Sequence, residues 1–365
     1  MSSPGAGRRQ QGSSRVWLHS APADLAVLLV PLAAVMVFVA IAAWRGDGAG
    51  AVQRTYAGWV SQYVLLNTSH VLLTFLLLFV QRDVLAAAPG QPRLVVGGGL
   101  VAFALAFAMF WATQVPFPMW ADFGYAVAYL FATHHRLSQT KGVWSLYNLV
   151  GSRAGATPPG PRELRLQKAM VPVGLVLVSV RVLFVPATSS ALFPVTQAVP
   201  GMPAILPHAT VWALIGAWTV LLVLIAHAMS GSFRTSGKAV YVLLYTGYFG
   251  VLIYSPIWGS ALIGGVHGLE YLLLTNRMLR KDGENAWSPR RAATLFVAMV
   301  PSLMVGLYTA PFSVRFPAVS AVVLQYAQLV LASVVMAHYF TDAVIYRFRI
   351  PTVRATMLRR LHLAT

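Results

Sequence analysis

The stretch from Met336 to Arg349, MAHYFTDAVIYRFR, sets His338 and Asp342 four residues apart in an otherwise apolar run. At 100° per residue the two side chains share one helix face, which is the spacing two ligands on one helix need to reach a single metal ion. An Asp at membrane depth costs about 3 kcal/mol unless something compensates it. A second pair, His267 and Glu270 in HGLEYL, stands three residues apart, again on one face.

The chain has nine His. His19 and His362 fall in the tails and His208 at the end of an apolar run. The other six, His70, His134, His135, His227, His267 and His338, all lie inside apolar runs that end in a basic residue. His70 precedes Arg82, His134 precedes Lys141, His227 precedes Arg234, His267 precedes Arg277 and His338 precedes Arg347. At about 1.5 Å per residue these His lie roughly 10 to 18 Å inside one flank, so five helices deliver imidazole to a single layer together with Glu270 and Asp342. The pairing of His with a nearby acid is how helical bundles hold paired iron ions. His134 and His135 diverge by about 100°, so either they serve two metals or one ligates while the other hydrogen-bonds.

The elements that must position these residues are membrane helices. Of 365 residues, 58% are hydrophobic and 10% charged, and the mean hydropathy is +0.68, which is the composition of an integral membrane protein. The formal charge of +18 sits in short loops between apolar segments, the positive-inside pattern rather than a nucleic-acid surface. With no Cys, thiolate metal sites, iron-sulfur clusters, disulfides and thiol nucleophiles are excluded. Any metal must be held by His, Asp, Glu or water.

The expected fold is all-α, a polytopic bundle of about ten transmembrane helices. The apolar runs cover approximately 24–45, 58–81, 95–116, 119–149, 168–186, 207–231, 238–256, 258–280, 291–311 and 318–347, with the division at Ser255 and Pro256 the weakest. Residues 1–23 read as a disordered cytoplasmic arm, 24–347 as one transmembrane domain, and 348–365 as a basic amphipathic cytoplasmic tail. Loops after even-numbered spans collect most of the 27 Lys and Arg, whereas the opposite side has Arg45, Arg54 and Arg315. Both termini are therefore expected in the cytoplasm, in a bacterial inner membrane.

Polar stripes orient two of the spans. Tyr63, Asn67, His70, Thr74 and Gln81 follow one line on the second, and His134, Ser138, Lys141, Ser145 and Asn148 another on the fourth, with His135 and Gln139 beside it. Such stripes also serve as helix-packing glue. Asn67, Gln139, Tyr271 and Arg349 are the candidate substrate contacts, and Arg136, Lys141 and Arg349 could receive an anionic head group. Arg181 and Asp122 form a candidate buried ion pair, and Tyr241, Tyr245 and Tyr248 a stripe that either packs or lines a tunnel.

A site of imidazoles with one or two carboxylates and no sulfur suits iron, manganese, zinc or copper. The candidate metal ligands are His70, His134, His135, His227, His267, Glu270, His338 and Asp342, with Glu270 and Asp342 as the catalytic carboxylates. Inside an apolar bundle, such a site suits O2 chemistry on a lipid-soluble substrate, because both partition into the membrane while water is excluded. Two iron ions with O2 as co-substrate would draw electrons from a cytoplasmic donor; a dioxygenase would need none. The chain resembles the integral-membrane histidine-cluster oxygenases, among them desaturases, lipid hydroxylases and bacterial β-carotene dioxygenases. The likeness covers many spans, several His at one cytoplasmic-side depth, and adjacent acids. The HxxxH and HxxHH boxes of desaturases are absent, and only the reaction class is implied: hydroxylation, desaturation or oxidative cleavage of a lipid-soluble molecule. A metal-ion or proton-coupled transporter would stagger its ligands along a path, and a haem b protein would need only two facing His.

Overall fold

The structure, a computed structural model, describes residues 17–44, 70–71, 73–75, 82–87, 90–153, 156–185, 206–230, 236–279, 291, 321–345 and 350–361. Among these residues every regular element is helical: α1 (Ala21–Trp44), α2 (Arg82–Ala86), α3 (Gln91–Gln114), α4 (Ala121–Arg153), α5 (Pro161–Phe184), α6 (Thr210–Met229), α7 (Ser236–Tyr254), α8 (Pro256–Met278), α9 (Ala321–Ile345) and α10 (Pro351–Arg360), with a 3-10 turn at Pro118–Trp120. Residues 70–71 and 73–75 are also helical. Eight of the expected spans coincide with α1 and α3 to α9. The other two, 58–81 and 291–311, fall mostly outside the described residues.

Among the described residues five helices, α1, α3, α5, α6 and α7, are long and apolar enough to cross a membrane, and the chain reads as a membrane protein. Their outer faces carry large apolar side chains, such as Leu105 at 67% exposure and Val220 at 60%, as hydrocarbon requires. α4 and α8 are also long enough but are not among the five, because they carry polar residues that turn inward.

Backbone chemistry sets the helix ends. Ser255 is extended (φ −132°, ψ 100°) and Pro256 opens α8, because a residue before proline avoids the helical region and proline fits a first helical turn. The weakest division in the sequence is thus a sharp corner between α7 and α8. α3 runs along α9, α4 lies between that pair and the α5 and α7 layer, and α8 packs on α7 and α1. α6 packs on α5 and α7.

Polar clamps fix these helices at one end. Asp24 accepts from the Leu18 and His19 amides (2.7 and 3.1 Å) and from the Tyr147 hydroxyl (2.7 Å). Arg277 of α8 donates to the Leu18 carbonyl. Residues 17–20, expected in a disordered arm, are therefore folded onto the bundle. Glu163 pairs with Lys238 at 2.6 Å and accepts from the Trp144 indole at 3.0 Å, tying α5, α7 and α4. The tail helix α10 buries Val353, Met357 and Leu358, and Arg360 grips Asp83 of α2 through two bonds of 2.8 and 2.9 Å. Partial burial works the other way, yet Arg360 and Arg359 hold the Asp83 carboxyl below its ordinary value. That contact is fully formed above the ordinary carboxylate range and is lost only as pH falls through the lowered value.

Close approach at the α7–α8 corner depends on Gly259. A Cβ there would lie 2.1 Å from the Leu252 Cα. Gly259→Ala must part the two helices, at about 1–3 kcal/mol, and lowers the detergent-state thermal midpoint by several degrees. Gly216→Ala, where the added methyl meets nothing within 4 Å, leaves it unchanged in the same melt.

Candidate metal centre

Four helices each supply one imidazole. His70 comes from helical residues 70–71 and 73–75, His135 from α4, His267 from α8 and His338 from α9. Their rings form a closed cycle with centroid separations of 4.3 Å for His70 to His267, 5.0 Å for His267 to His135, 5.2 Å for His135 to His338 and 4.7 Å for His338 to His70. All four are buried, between 0 and 9% exposed. Donor atoms of His70, His267 and His338 lie within 4.8 Å of one another, as do those of His135, His338 and Asp342. His338 belongs to both sets.

The helix spacing behaves as the periodicity dictates. One turn separates His338 and Asp342, and the His338 Nε2 stands 3.6 Å from Asp342 Oδ2, with His135 Nε2 at 3.8 Å from the same oxygen. The other carboxylate oxygen, Oδ1, accepts from Thr74 at 3.1 Å and Tyr271 at 3.4 Å. Those two hydroxyls also contact each other. Asp342 is thus aimed, one oxygen held by hydroxyls and the other turned toward imidazole. Tyr339 stacks on His135 with a centroid distance of 4.5 Å and fixes that ring's plane.

The donor set fits a metal ion. The two His338 ring nitrogens, His135 Nε2 and His267 Nδ1 are buried without a protein hydrogen-bond partner among the described residues. Native interiors satisfy nearly all such atoms. His70 Nε2 and His267 Nε2 are 2.8 Å apart, close to the roughly 3 Å expected of two nitrogens each about 2.1 Å from one ion at a right angle. A lone hydrogen bond could explain that pair; it leaves His338 unexplained.

The sequence-predicted residues divide clearly. His70, His135, His267, His338 and Asp342 come together. His134 is exposed on α4 although its neighbour His135 is buried, as the 100° turn per residue requires, and it joins neither set. His227 is exposed near the end of α6, which packs on α5 and α7 and away from the site helices. Glu270 is buried but turned to α4, where Gln139 donates to it at 3.1 Å, so it joins neither set. Tyr271, expected to touch substrate, donates to Asp342. Asn67 and Arg349 lie outside the described residues, as does the side chain of Asp122; Arg181 donates to the carbonyls of Ile253 and Val185. Tyr241, Tyr245 and Tyr248 are packed in the core. Thr74 was visible only as a member of a polar stripe, and Tyr339 carried no periodic signal, since its role rests on a contact between two helices.

No protein-family model matches the chain, and comparison with curated proteins and with solved structures gives no match either.

His338→Ala removes the residue common to both donor sets and abolishes stoichiometric metal in the purified protein, whereas His227→Ala and His134→Ala retain it. Thr74→Val, which frees one oxygen of Asp342, weakens metal affinity by about 10- to 100-fold. Metal content by mass spectrometry and chelator competition read both results.

Proposed function

We propose that the chain is a membrane-embedded, non-haem metal-dependent oxidoreductase that uses O2 to hydroxylate, desaturate or cleave a lipid-soluble substrate. The observation that supports this most strongly is the closed cycle of four buried imidazoles beside Asp342, in which His135, His267 and His338 have ring nitrogens without a hydrogen-bond partner among the described residues. A donor set of imidazole and one carboxylate without sulfur suits iron first, with manganese, zinc or copper as alternatives. His70, His135, His267, His338 and Asp342 would hold one ion. Glu270, which accepts from Gln139, joins neither donor set. When bound, the metal would supply O2 activation and redox chemistry.

The chain's residues do the rest. Thr74 and Tyr271 hold the Asp342 carboxylate in one orientation, and Tyr339 holds the His135 ring, so neither ligand swings away during turnover. Burial of the four imidazoles excludes water, which protects a reactive site from wasteful side reactions. Glu270 sits one turn from His267 with Gln139 donating to it, Tyr241 beside it, and Tyr147 bonded to Asp24 further along the same wall. We assign Glu270 the role of proton carrier to the site. The basic loops support ten spans with both termini in the cytoplasm of a bacterial inner membrane, where an electron donor would dock. Ligands gathered in one layer argue against a transporter, whose sites would be staggered along a path.

Metal-loaded protein in nanodiscs, supplied with a membrane lipid extract and a chemical reductant, consumes O2, and His338→Ala does not. Glu270→Gln keeps the metal but lowers the O2-consumption rate by about 100-fold, the scale of a lost proton-transfer group. Absence of O2 uptake combined with metal flux in proteoliposomes would overturn the proposal in favour of transport.

A further inference from the structure

Arg136 follows the ligand His135 in the middle of α4 and is only 6% exposed. Arginines in membrane helices normally reach the interface with their long side chains; this one stays inside. A buried guanidinium is costly unless an anion or several acceptors meet it. The other buried cations among the described residues are met: Arg181 donates to two carbonyls, Lys238 pairs with Glu163, and Arg291 donates to the Asn276 carbonyl. Arg136 makes no ion pair and donates no hydrogen bond among the described residues.

The acids of the same layer are engaged elsewhere. Asp342 is held by Thr74 and Tyr271 and faces His135 and His338, and Glu270 accepts from Gln139. What the Arg136 charge reaches is a wall of hydroxyls and imidazoles: Tyr129, Tyr245, Tyr339, His135 and His267. Tyr129 is itself an acceptor from Ser260, and Tyr245 donates to the Ile263 carbonyl. Among the described residues this buried cation has neutral neighbours and no anion.

We propose that Arg136 anchors the carboxylate of the substrate, making the substrate class a long-chain or isoprenoid acid rather than a neutral hydrocarbon. The guanidinium fork matches a carboxylate with two parallel hydrogen bonds. The guanidinium carries one positive charge and a carboxylate one negative charge, so the pair is neutral. The ligand must enter through hydrocarbon, so an apolar chain carries the carboxylate. Tyr339 lies within reach of the Arg136 charge and also stacks on His135, so a molecule held at Arg136 is beside the imidazole cycle. This inference rests on the reading of that cycle as the reaction centre.

The test compares oleate, oleyl alcohol and oleyl phosphate as probes on purified full-length protein, with metal content measured in the same samples. Oleate binds at least about 10-fold more tightly than oleyl alcohol, the scale of a bidentate charge-assisted contact. Arg136→Gln loses that preference with metal content unchanged, and Arg136→Lys keeps part of it. Equal affinity of the wild type for oleate and oleyl alcohol overturns the proposal, as does an unchanged preference in Arg136→Gln. A clear preference for oleyl phosphate also overturns it and points to a phospholipid head group. If Arg136→Gln fails to fold, the wild-type comparison decides alone. A wild type without metal that still prefers oleate would defeat the metal reading while sustaining the anion site.

Discussion

Burying four imidazoles and a carboxylate in an apolar bundle is the constraint on which this fold turns. Each buried polar atom without a partner costs about 1–3 kcal/mol. His338 contributes two such atoms, and His135 and His267 one each. Four atoms therefore cost on the order of 4–12 kcal/mol, comparable with the whole stability of a typical domain, about 5–15 kcal/mol. Hydrogen bonding among the rings relieves only the His70 and His267 contact. A metal ion at the cycle would take His135 Nε2 and one His338 nitrogen and so offset about half of that cost, since each imidazole gives an ion one nitrogen.

The same constraint explains the arrangement around the site. The helices that carry the imidazoles are tied to their neighbours by polar clamps and close contacts. Gly98 of α3 leaves room for the Phe340 ring of α9, to within 2.4 Å of a would-be Cβ, so α9 is seated where His338 and Asp342 meet the other ligands. Tyr147 and Asp24 fix α4 to α1, and Arg277 fixes α8 to the residues preceding α1. Apolar helices wrap the outside and the more polar α4 and α8 are held within, so polarity sorts the helices by position as well as by face.

Much of this was legible in the residues. The apolar runs placed eight of the helices to within about four residues at every end but the start of α5, which begins seven residues earlier, and the depth count gathered His70, His134, His135, His227, His267, Glu270, His338 and Asp342, of which His70, His135, His267, His338 and Asp342 come together. Depth, however, fixes only one coordinate. His227 has the right depth but sits on α6, two helices from the site, and helix neighbours are a tertiary property that one sequence does not display. His134 and His135 share a depth and differ by one residue; only packing decides which turns inward. Glu270 shared both depth and spacing with the ligands, yet Gln139 draws it to another partner. The tyrosine stripe on α7 reads equally well as packing or as a tunnel lining, and its contacts decide for packing.

On the proposal made above, these four imidazoles and Asp342 hold a non-haem metal ion. X-ray absorption at the metal edge, combined with metal stoichiometry on the wild-type protein, tests it most directly. One ion per chain, with a nitrogen and oxygen shell dominated by imidazole scattering and no sulfur, is the expected result. Protein that folds and binds no stoichiometric metal after expression in supplemented medium, or one that shows a porphyrin signature, would contradict it.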